Sequence, residues 1–253
     1  MKQAKTRVCA RDKLAAFKER VVFQHLAALK HALDETIVFS NELLDALPVH
    51  RVTKHEGELS ELGVALSENE QFVWTKMQLT TPRLAAYLAR ARTELRDRQI
   101  ADINLAAEDW LRGAAAALES GFIITVDYGA QAAELYDFSL HPYGTLRAFW
   151  RHQFINDVLA RPGEHDLTTT VDWTQIETVG EECGLRRRVF ARQDEFLLRA
   201  GLLDELLRLT TNAQSEAVAS ALRTSEREMI LPGSMSSSFQ VLVQGKARQN
   251  KSQ

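Results

Sequence analysis

The chain has 253 residues, of which 26% are charged, and a formal net charge of −3. This length allows one large domain or two small ones, and the balanced charge provides no basic field for binding nucleic acid. No apolar run is as long as a membrane span, and the first residues lack a secretory signal core, so we expect a cytoplasmic protein.

The first predicted elements are a helix at 12–20 and a strand at 36–39. Apolar residues at helical spacing indicate the helix, and β-branched and aromatic residues indicate the strand. Pro48 ends the turn that follows the strand. Residues 49–80 alternate loosely between apolar and polar types and are interrupted by Gly57, which predicts an inserted antiparallel hairpin.

Two helices and a buried strand are predicted next. Pro82 opens the first helix, and the second covers about 104–118, with Gly121 ending it. The run at 122–126 is β-branched and apolar, which is typical of a strand buried on both faces. Residues 130–165 show no clear period, and a loop of that length is usually functional, for example a lid.

The last third of the chain also alternates between strand and helix. Asp172 and Gln175 have the spacing of a helix N-cap pair. Three further strands are predicted, at 167–173, 185–191 and 239–243. Three helices are also predicted: one ends near Gly184, and the other two cover about 194–208 and 213–229. This alternation predicts an α/β sheet with helices on its faces.

The two cysteines, Cys9 and Cys183, are isolated and lack the spacing of metal ligands. We therefore predict no metal site and a reducing compartment. Ligands of α/β sheets bind beyond the carboxyl ends of the strands, which directs attention to Asn41, Glu42, Asp127 and Tyr128.

Residues 39–50 read FSNELLDALPVH and closely resemble the NE-x-x-DALPV signature of the MidA-like family of S-adenosylmethionine-dependent methyltransferases. That family comprises bacterial proteins and a mitochondrial complex I assembly factor that methylates an arginine of a complex I subunit. Further stretches agree with the family in order and spacing over about residues 12–245. They lie at 121–129, 144–149, 162–173, 193–201 and 232–239, where Ser236 replaces the family's glycine.

The resemblance implies an incomplete Rossmann-like class I methyltransferase sheet with an inserted hairpin and helical elements. Family members carry a first strand, a glycine-rich cofactor loop and a ribose-binding acid before the region seen here. No glycine precedes Gly57, so we expect the chain to begin within or just after the second strand, as an N-terminally truncated or fragmentary member. The expected organisation is a partial domain at 1–245 with insertions at about 49–118 and 130–165, and a polar tail at 246–253.

The resemblance implies S-adenosyl-L-methionine as cofactor, although its binding by this chain is in doubt and its binding residues are unknown. The predicted catalytic residues are Asn41, Glu42 and Asp45. An arginine acceptor needs a carboxylate because its guanidinium is always charged, and Glu42 follows the strand end directly. Asp45 is either a second acid or a cap of the turn before Pro48.

Four further residues are candidates for the substrate site or the lid. Asp127 and Tyr128 are candidates for lining the cleft. For Tyr128 the alternative is that it packs as a buried, hydrogen-bonded aromatic residue. Arg147 and His152 either contact the substrate or form an ion pair with Asp157 or Asp166.

Three functions stay open from the sequence. The first is a protein-arginine methyltransferase linked to respiratory complex I assembly, in the cytoplasm of a bacterium or the mitochondrial matrix of a eukaryote. The second is a non-catalytic remnant that binds a partner, and the third is a truncated gene product unable to bind the cofactor. The expected partners are a protein substrate, such as a respiratory complex subunit, and other copies of the chain, because a sheet without its first strand exposes an edge.

Overall fold

The computed structural model describes residues 14, 17, 20–29, 33–151, 153–230 and 238–248. Its strands are β1 (Thr36–Asn41), β2 (His50–His55), β3 (Glu58–Leu66), β4 (Phe72–Met77), β5 (Ile100–Ile103), β6 (Gly121–Ala130), β7 (Arg147–Trp150), β8 (Gln153–Ile155), β9 (Asp166–Thr168), β10 (Val171–Asp172), β11 (Arg186–Arg192) and β12 (Phe239–Lys246). Its helices are α1 (Arg83–Arg90), α2 (Leu105–Ala117), α3 (Ala132–Leu135), α4 (Trp173–Glu182), α5 (Gln193–Arg199), α6 (Leu202–Thr211) and α7 (Glu216–Ile230). A short 3-10 turn lies at Leu26–Leu29. The predicted helix at 12–20 and the motif at 232–239 lie largely outside the described residues.

The main sheet is mixed, with the strand order β1-β6-β12-β11, and β10 also pairs with β6. β1 and β6 are parallel, in a register that pairs Thr36 with Gly121 and Asn41 with Val126. β12 runs antiparallel to β6 and β11 antiparallel to β12. This mixed sheet with its helices confirms the predicted α/β class.

The main core lies between this sheet and helices α2 and α4. Its buried side chains include Leu111, Ile123, Trp173 and Leu242, all with no exposed surface. Helix α2 falls inside the predicted 49–118 insertion but packs in this core. The inserted part that forms a separate layer therefore ends near Ile103.

The second sheet is antiparallel, with the order β4-β3-β2-β5, where the sequence predicts a simple hairpin. Helix α1 covers one face of it through a second buried cluster that contains Val52, Leu84 and Ile103. β5 joins β2 from about 50 residues further along the chain, and local alternation carries no signal for such a long-range pairing.

The third sheet is small and has the order β8-β7-β9. It falls largely within the 130–165 stretch predicted as a loop or lid, which also contains α3. The stretch is therefore an ordered flap with its own strand pairing, attached to the rest of the protein by the contacts described below.

Several predicted boundaries shift for identifiable reasons. The strand predicted at 167–173 is divided into β9, β10 and the first turn of α4, whose N-cap Asp172 accepts from the Gln175 N–H as predicted. The helix predicted at 194–208 is two helices because Gly201 has a φ of +90°. Lys246 ends β12, and its Nζ donates to the carbonyl oxygens of Ala115 and Leu118, so it does not belong to a tail.

Within the described ranges, no helix combines the length and the apolar character needed to cross a membrane.

Candidate functional site

The exit of β1 carries the first two predicted catalytic residues. Asn41 is the last residue of the strand, and Glu42 follows it with a φ of +47°. The Glu42 N–H donates to the Val126 carbonyl (3.0 Å), which holds this left-handed residue at the strand end. Glu35, Glu56 and Glu70 have the same left-handed backbone, so the φ of Glu42 by itself does not mark a functional site. Both side chains are exposed, and the Asn41 amide donates to the Glu42 carboxylate (3.3 Å).

The turn after β1 is held by three distant parts of the chain. Asp127 Oδ2 accepts from the backbone N–H groups of Leu44 (3.0 Å) and Asp45 (3.3 Å). Asn104, the N-cap of α2, donates to the Leu44 carbonyl (2.7 Å), and the Thr169 N–H donates to the Asp45 carbonyl (3.0 Å). These bonds fix the backbone that aims the Asp45 side chain.

Asp45 is buried, with 4% of its surface exposed, and its two carboxylate oxygens differ. Oδ2 accepts from the Tyr128 hydroxyl (2.5 Å), whereas Oδ1 has no hydrogen-bond partner among the described residues. Oδ1 has almost no accessible surface, and it shares the lack of a partner with other buried polar atoms of the described residues, such as the Ser40 and Thr125 hydroxyls. Among the described residues, the Asp45 side chain forms no hydrogen bond within its own turn.

Tyr128 is a half-buried, hydrogen-bonded aromatic residue, as one of the two alternatives proposed. Its ring packs edge-to-face on Phe239, with centroids 5.5 Å apart, and the Arg147 guanidinium carbon lies 5.1 Å from the ring centroid. Burial and the hydrogen bond to Asp45 raise the pKa of Tyr128 well above its ordinary value. The hydroxyl therefore stays protonated at neutral pH and donates to Asp45.

Asp127 supports the site from beneath and is not among the residues that line the cavity. It has no exposed surface, and its other oxygen accepts from the Tyr128 N–H (3.0 Å). Burial and the nearby Asp45 carboxylate raise the pKa of Asp127 to about 7.

Asp45 borders a cavity of about 470 Å³ between the turn after β1, the second sheet and the flap. Glu61, His50 and Arg51 are its other charged or polar wall residues from the second sheet, and Trp74 closes one side. The remaining wall is largely apolar and is formed by Leu47, Pro48, Val49, Leu62, Val64, Leu146, Val158, Leu159 and Leu167. An apolar cavity with a few converging polar groups is typical of a binding site.

Glu61 is the second buried carboxylate of the cavity, and both of its oxygens have partners. Oε1 lies 2.7 Å from His50 Nδ1, and Oε2 accepts from the Thr80 N–H and hydroxyl. Burial opposes ionisation, but these hydrogen bonds outweigh it and lower the pKa of Glu61. Glu61, His50 and Trp74 were not predicted from the sequence. Of the three, only His50 lies beside a recognisable sequence pattern, because it directly follows the DALPV motif.

The flap is attached through Asp102. Its carboxylate accepts from the N–H groups of Thr145 (2.6 Å) and Leu146 (2.8 Å) and from Arg51 Nε (2.9 Å). Gly144 has a φ of +77°, and a Cβ there would lie 2.3 Å from Asp102 Oδ2. This contact explains the glycine of the GTLRAF stretch.

We expect Asp102→Ala to detach the flap from the second sheet. The substitution leaves the amides of Thr145 and Leu146 and the Arg51 guanidinium without their acceptor, a cost of about 1–3 kcal/mol for each unsatisfied group. Hydrogen exchange measured by mass spectrometry should become faster at 143–150, while Asp204→Ala, which removes an exposed carboxylate on α6, should not change it. Unchanged protection at 143–150 would show that other contacts hold the flap.

Arg147 is the first residue of β7 in the flap, and its side chain lies over the ring of Tyr128. Apart from the Tyr128 ring, it contacts the hydroxyl of Thr170 (3.4 Å). In the described part of the chain, neither Asp157 nor Asp166 forms the proposed ion pair with it. His152, the other predicted flap residue, lies outside the described residues.

The family model described as "Putative S-adenosyl-L-methionine-dependent methyltransferase" matches residues 1–191, which is more than half of the chain. The chain belongs to this methyltransferase family. This confirms the family predicted from the NELLDALPV stretch and its companion motifs.

Three relatives show how much of the fold is shared. The "Protein arginine methyltransferase NDUFAF7 homolog, mitochondrial" of Drosophila melanogaster is 29% identical over 159 residues, which cover 59% of this chain and 33% of the relative. A "likely methyl transferase" of Burkholderia thailandensis, solved with S-adenosyl-homocysteine, is 26% identical, with a TM-score of 0.79 over 98% of this chain and 62% of its own. A native structure of an uncharacterised protein from the same organism is 27% identical, with a TM-score of 0.73 over 85% and 56%.

The chain thus shares its fold with a protein that was solved with S-adenosyl-homocysteine bound, but it spans only part of each relative's length. In the described ranges, no glycine-rich turn joins a parallel strand to a helix. Gly129 lies within β6, and a Cβ there would lie 2.5 Å from the Val171 carbonyl, so packing explains this glycine. The described residues therefore contain no glycine-rich loop of the kind that holds S-adenosyl-L-methionine.

Proposed function

We propose that this chain forms the acceptor side of an S-adenosyl-L-methionine-dependent protein methyltransferase that N-methylates an arginine side chain. The single observation that carries the proposal is the exposed side chain of Glu42, which directly follows the carboxyl end of β1 and whose N–H donates to the Val126 carbonyl. The name of the Drosophila relative, which is an arginine methyltransferase, supports the choice of arginine.

The chemistry of the acceptor fits this arrangement. A guanidinium has N–H donors on a planar fork, and a carboxylate is its natural partner. The exposed Glu42 carboxylate accepts one of these N–H groups, and the Asn41 amide donates to the same carboxylate. Methylation of a guanidinium nitrogen releases one proton, and Glu42 is the exposed carboxylate at this strand end that receives it. Holding the acceptor in one orientation is a large part of catalysis by positioning.

For the substrate, we propose a subunit of a respiratory complex, in the bacterial cytoplasm or the mitochondrial matrix. This choice rests on the resemblance of the NELLDALPV segment to the complex I assembly family. The test is incubation of the purified chain with isotopically labelled S-adenosyl-L-methionine above millimolar concentration and purified complex I subunits, followed by mass spectrometry for methylarginine.

We expect Glu42→Gln to lower the rate of methylarginine formation about 100-fold, as is typical when one interaction that stabilises the transition state is lost. Glu134→Gln removes the same charge from an exposed site and should leave the rate unchanged. Equal rates for the wild type and Glu42→Gln would contradict the role of Glu42. Labelled lysine instead of arginine would contradict the proposed acceptor.

A second candidate function is non-catalytic partner binding, and the β1 edge favours it. β1 is the last strand on its side of the described sheet, and Ile37 and Phe39 are 62% and 63% exposed. An edge with exposed apolar residues is a pairing surface, for a partner protein or for another copy of this chain.

Calorimetric titration with S-adenosyl-L-methionine separates the two functions. For the 253-residue chain we expect a dissociation constant no tighter than about 1 mM, equivalent to about 4 kcal/mol, because the described residues provide only the β1 exit. S-adenosyl-homocysteine should behave in the same way. A micromolar constant would contradict this expectation and would favour catalysis by this chain without another component.

A further inference from the structure

Two consecutive residues of β6 hold the turn that follows β1. Asp127 Oδ2 accepts from the backbone N–H groups of Leu44 and Asp45, and the Tyr128 hydroxyl donates to the Asp45 side chain (2.5 Å). Successive side chains of a strand point to opposite faces of its sheet, so Asp127 and Tyr128 leave β6 on different faces. The turn is therefore anchored twice, once through its backbone and once through a side chain.

The side-chain anchor is itself held firmly. Among the described residues, the Tyr128 hydroxyl is the one hydrogen-bond donor to the Asp45 carboxylate. The Tyr128 ring packs edge-to-face on Phe239 and lies beneath the Arg147 guanidinium, and these two contacts restrict its rotation. Asp45 is thus bound to a partner that has little freedom of its own.

The flap contacts the same two residues. The N–H of Thr169, which directly follows β9, donates to the Asp45 carbonyl (3.0 Å), and Arg147 of β7 covers the Tyr128 ring. The strands β7 and β9 pair with each other, so both contacts come from one small sheet. Asp45 and Tyr128 therefore join the flap to the turn after β1.

Glu42 lies at the start of this turn. Its N–H donates to the carbonyl of Val126, which precedes Asp127 in β6, while its carboxylate is exposed and accepts from the Asn41 amide. The exposed side chain thus has a single described hydrogen bond, and the backbone of the turn sets the direction in which it points. A functional side chain with few contacts of its own depends on the residues that support its backbone.

We propose that Tyr128 and Asp45 form a positioning pair that fixes the turn at 42–47 and thereby holds Glu42 in one orientation at the carboxyl end of β1. The part that Glu42 takes in methyl transfer rests on the proposed function. In this role Asp45, predicted from the sequence as catalytic, is a hydrogen-bond acceptor for Tyr128 and neither gives nor takes a proton. It therefore needs an acceptor oxygen but no charge.

Hydrogen exchange of the full chain, measured by mass spectrometry, tests the pair without any activity. Tyr128→Phe keeps the ring and removes only the hydroxyl. We expect exchange at 42–47 to become at least about tenfold faster, because the hydrogen bond to Asp45 is lost, and exchange at 50–55 in β2 to stay unchanged. The matched control is Tyr143→Phe, which removes a hydroxyl from a residue that is 74% exposed and should change neither segment.

Two substitutions of Asp45 distinguish positioning from proton transfer. Asp45→Ala removes the acceptor and should match Tyr128→Phe, with faster exchange at 42–47 and a kcat for methylarginine formation lowered at least about tenfold at an unchanged KM. Asp45→Asn keeps an oxygen for the Tyr128 hydroxyl and should restore both the protection at 42–47 and at least about tenfold in kcat relative to Asp45→Ala. Combining Tyr128→Phe with Asp45→Ala should add no further loss, because the two residues act as one unit.

Three results would overturn the inference: unchanged exchange at 42–47 in Tyr128→Phe, equally faster exchange at 50–55, which would indicate a general loss of stability, or an Asp45→Asn variant as impaired as Asp45→Ala. Failure of the proposed function is distinguishable. If the wild type forms no methylarginine while Tyr128→Phe loosens 42–47 and Asp45→Asn restores it, the function is rejected and the positioning pair stands. Methylation that Tyr128→Phe does not slow would have the reverse meaning.

Discussion

Gly121→Ala should destabilise the protein by about 3–5 kcal/mol, because the new methyl group would meet the neighbouring strand at the start of the β1–β6 pairing. Gly121 has a φ of +128°, and a Cβ there would lie 2.0 Å from the Thr36 carbonyl oxygen and 2.7 Å from the Thr36 nitrogen. These are backbone atoms of the residue paired with Gly121 in the register. The clash cannot be relieved by a side-chain rotation, so the parallel strands β1 and β6 must separate.

Urea unfolding followed by circular dichroism measures the effect. The matched control is Gly57→Ala, at a hairpin glycine with a φ of +87° and no atom within 4 Å of the added Cβ. It carries the left-handed backbone cost alone, about 1–2 kcal/mol. If both variants lost the same stability, the close approach of Thr36 would not be the cause.

Asp127→Asn should change how stability depends on pH. The folded pKa of Asp127 is raised to about 7 from an ordinary value of 3.8, so between about pH 4 and 7 the folded carboxyl holds a proton that unfolding releases. The contribution of Asp127 to the free energy of unfolding is therefore fully present below about pH 4 and is lost as the pH rises through 7. Asparagine has no such proton, so the stability difference between the wild type and the variant should shrink from pH 4 to 7, by at most about 4 kcal/mol.

At pH 5 the variant should be the less stable protein. Its amide keeps one acceptor oxygen, for the N–H groups of Leu44 and Asp45, but turns an NH₂ toward the Tyr128 N–H, which costs about 1–3 kcal/mol. Urea unfolding at pH 5 and pH 8 gives both differences. The same difference at the two pH values would show that Asp127 does not titrate in this range.

Local patterns in the sequence predicted the parallel strands β1 and β6 and the N-terminus of helix α4. The β-branched runs at 36–39 and 122–126 form β1 and β6, and Asp172 caps α4 with the predicted spacing. These features depend on residues within a few positions of one another, so a local window contains the required information. The same patterns placed Asn41 and Glu42 at the strand exit, where the structure has them.

Only the tertiary structure decided the geometry of the candidate site. The Tyr128 hydroxyl reaches Asp45 from 83 residues away, Asp102 reaches the flap from 43 and 44 residues away, and β5 closes a sheet predicted as a hairpin. A carboxylate in the sequence has the same residue type whether it is exposed, as Glu42 is, or buried with an unpartnered oxygen, as Asp45 is. Burial and hydrogen bonding depend on which distant segments pack together, and local sequence spacing does not encode that choice.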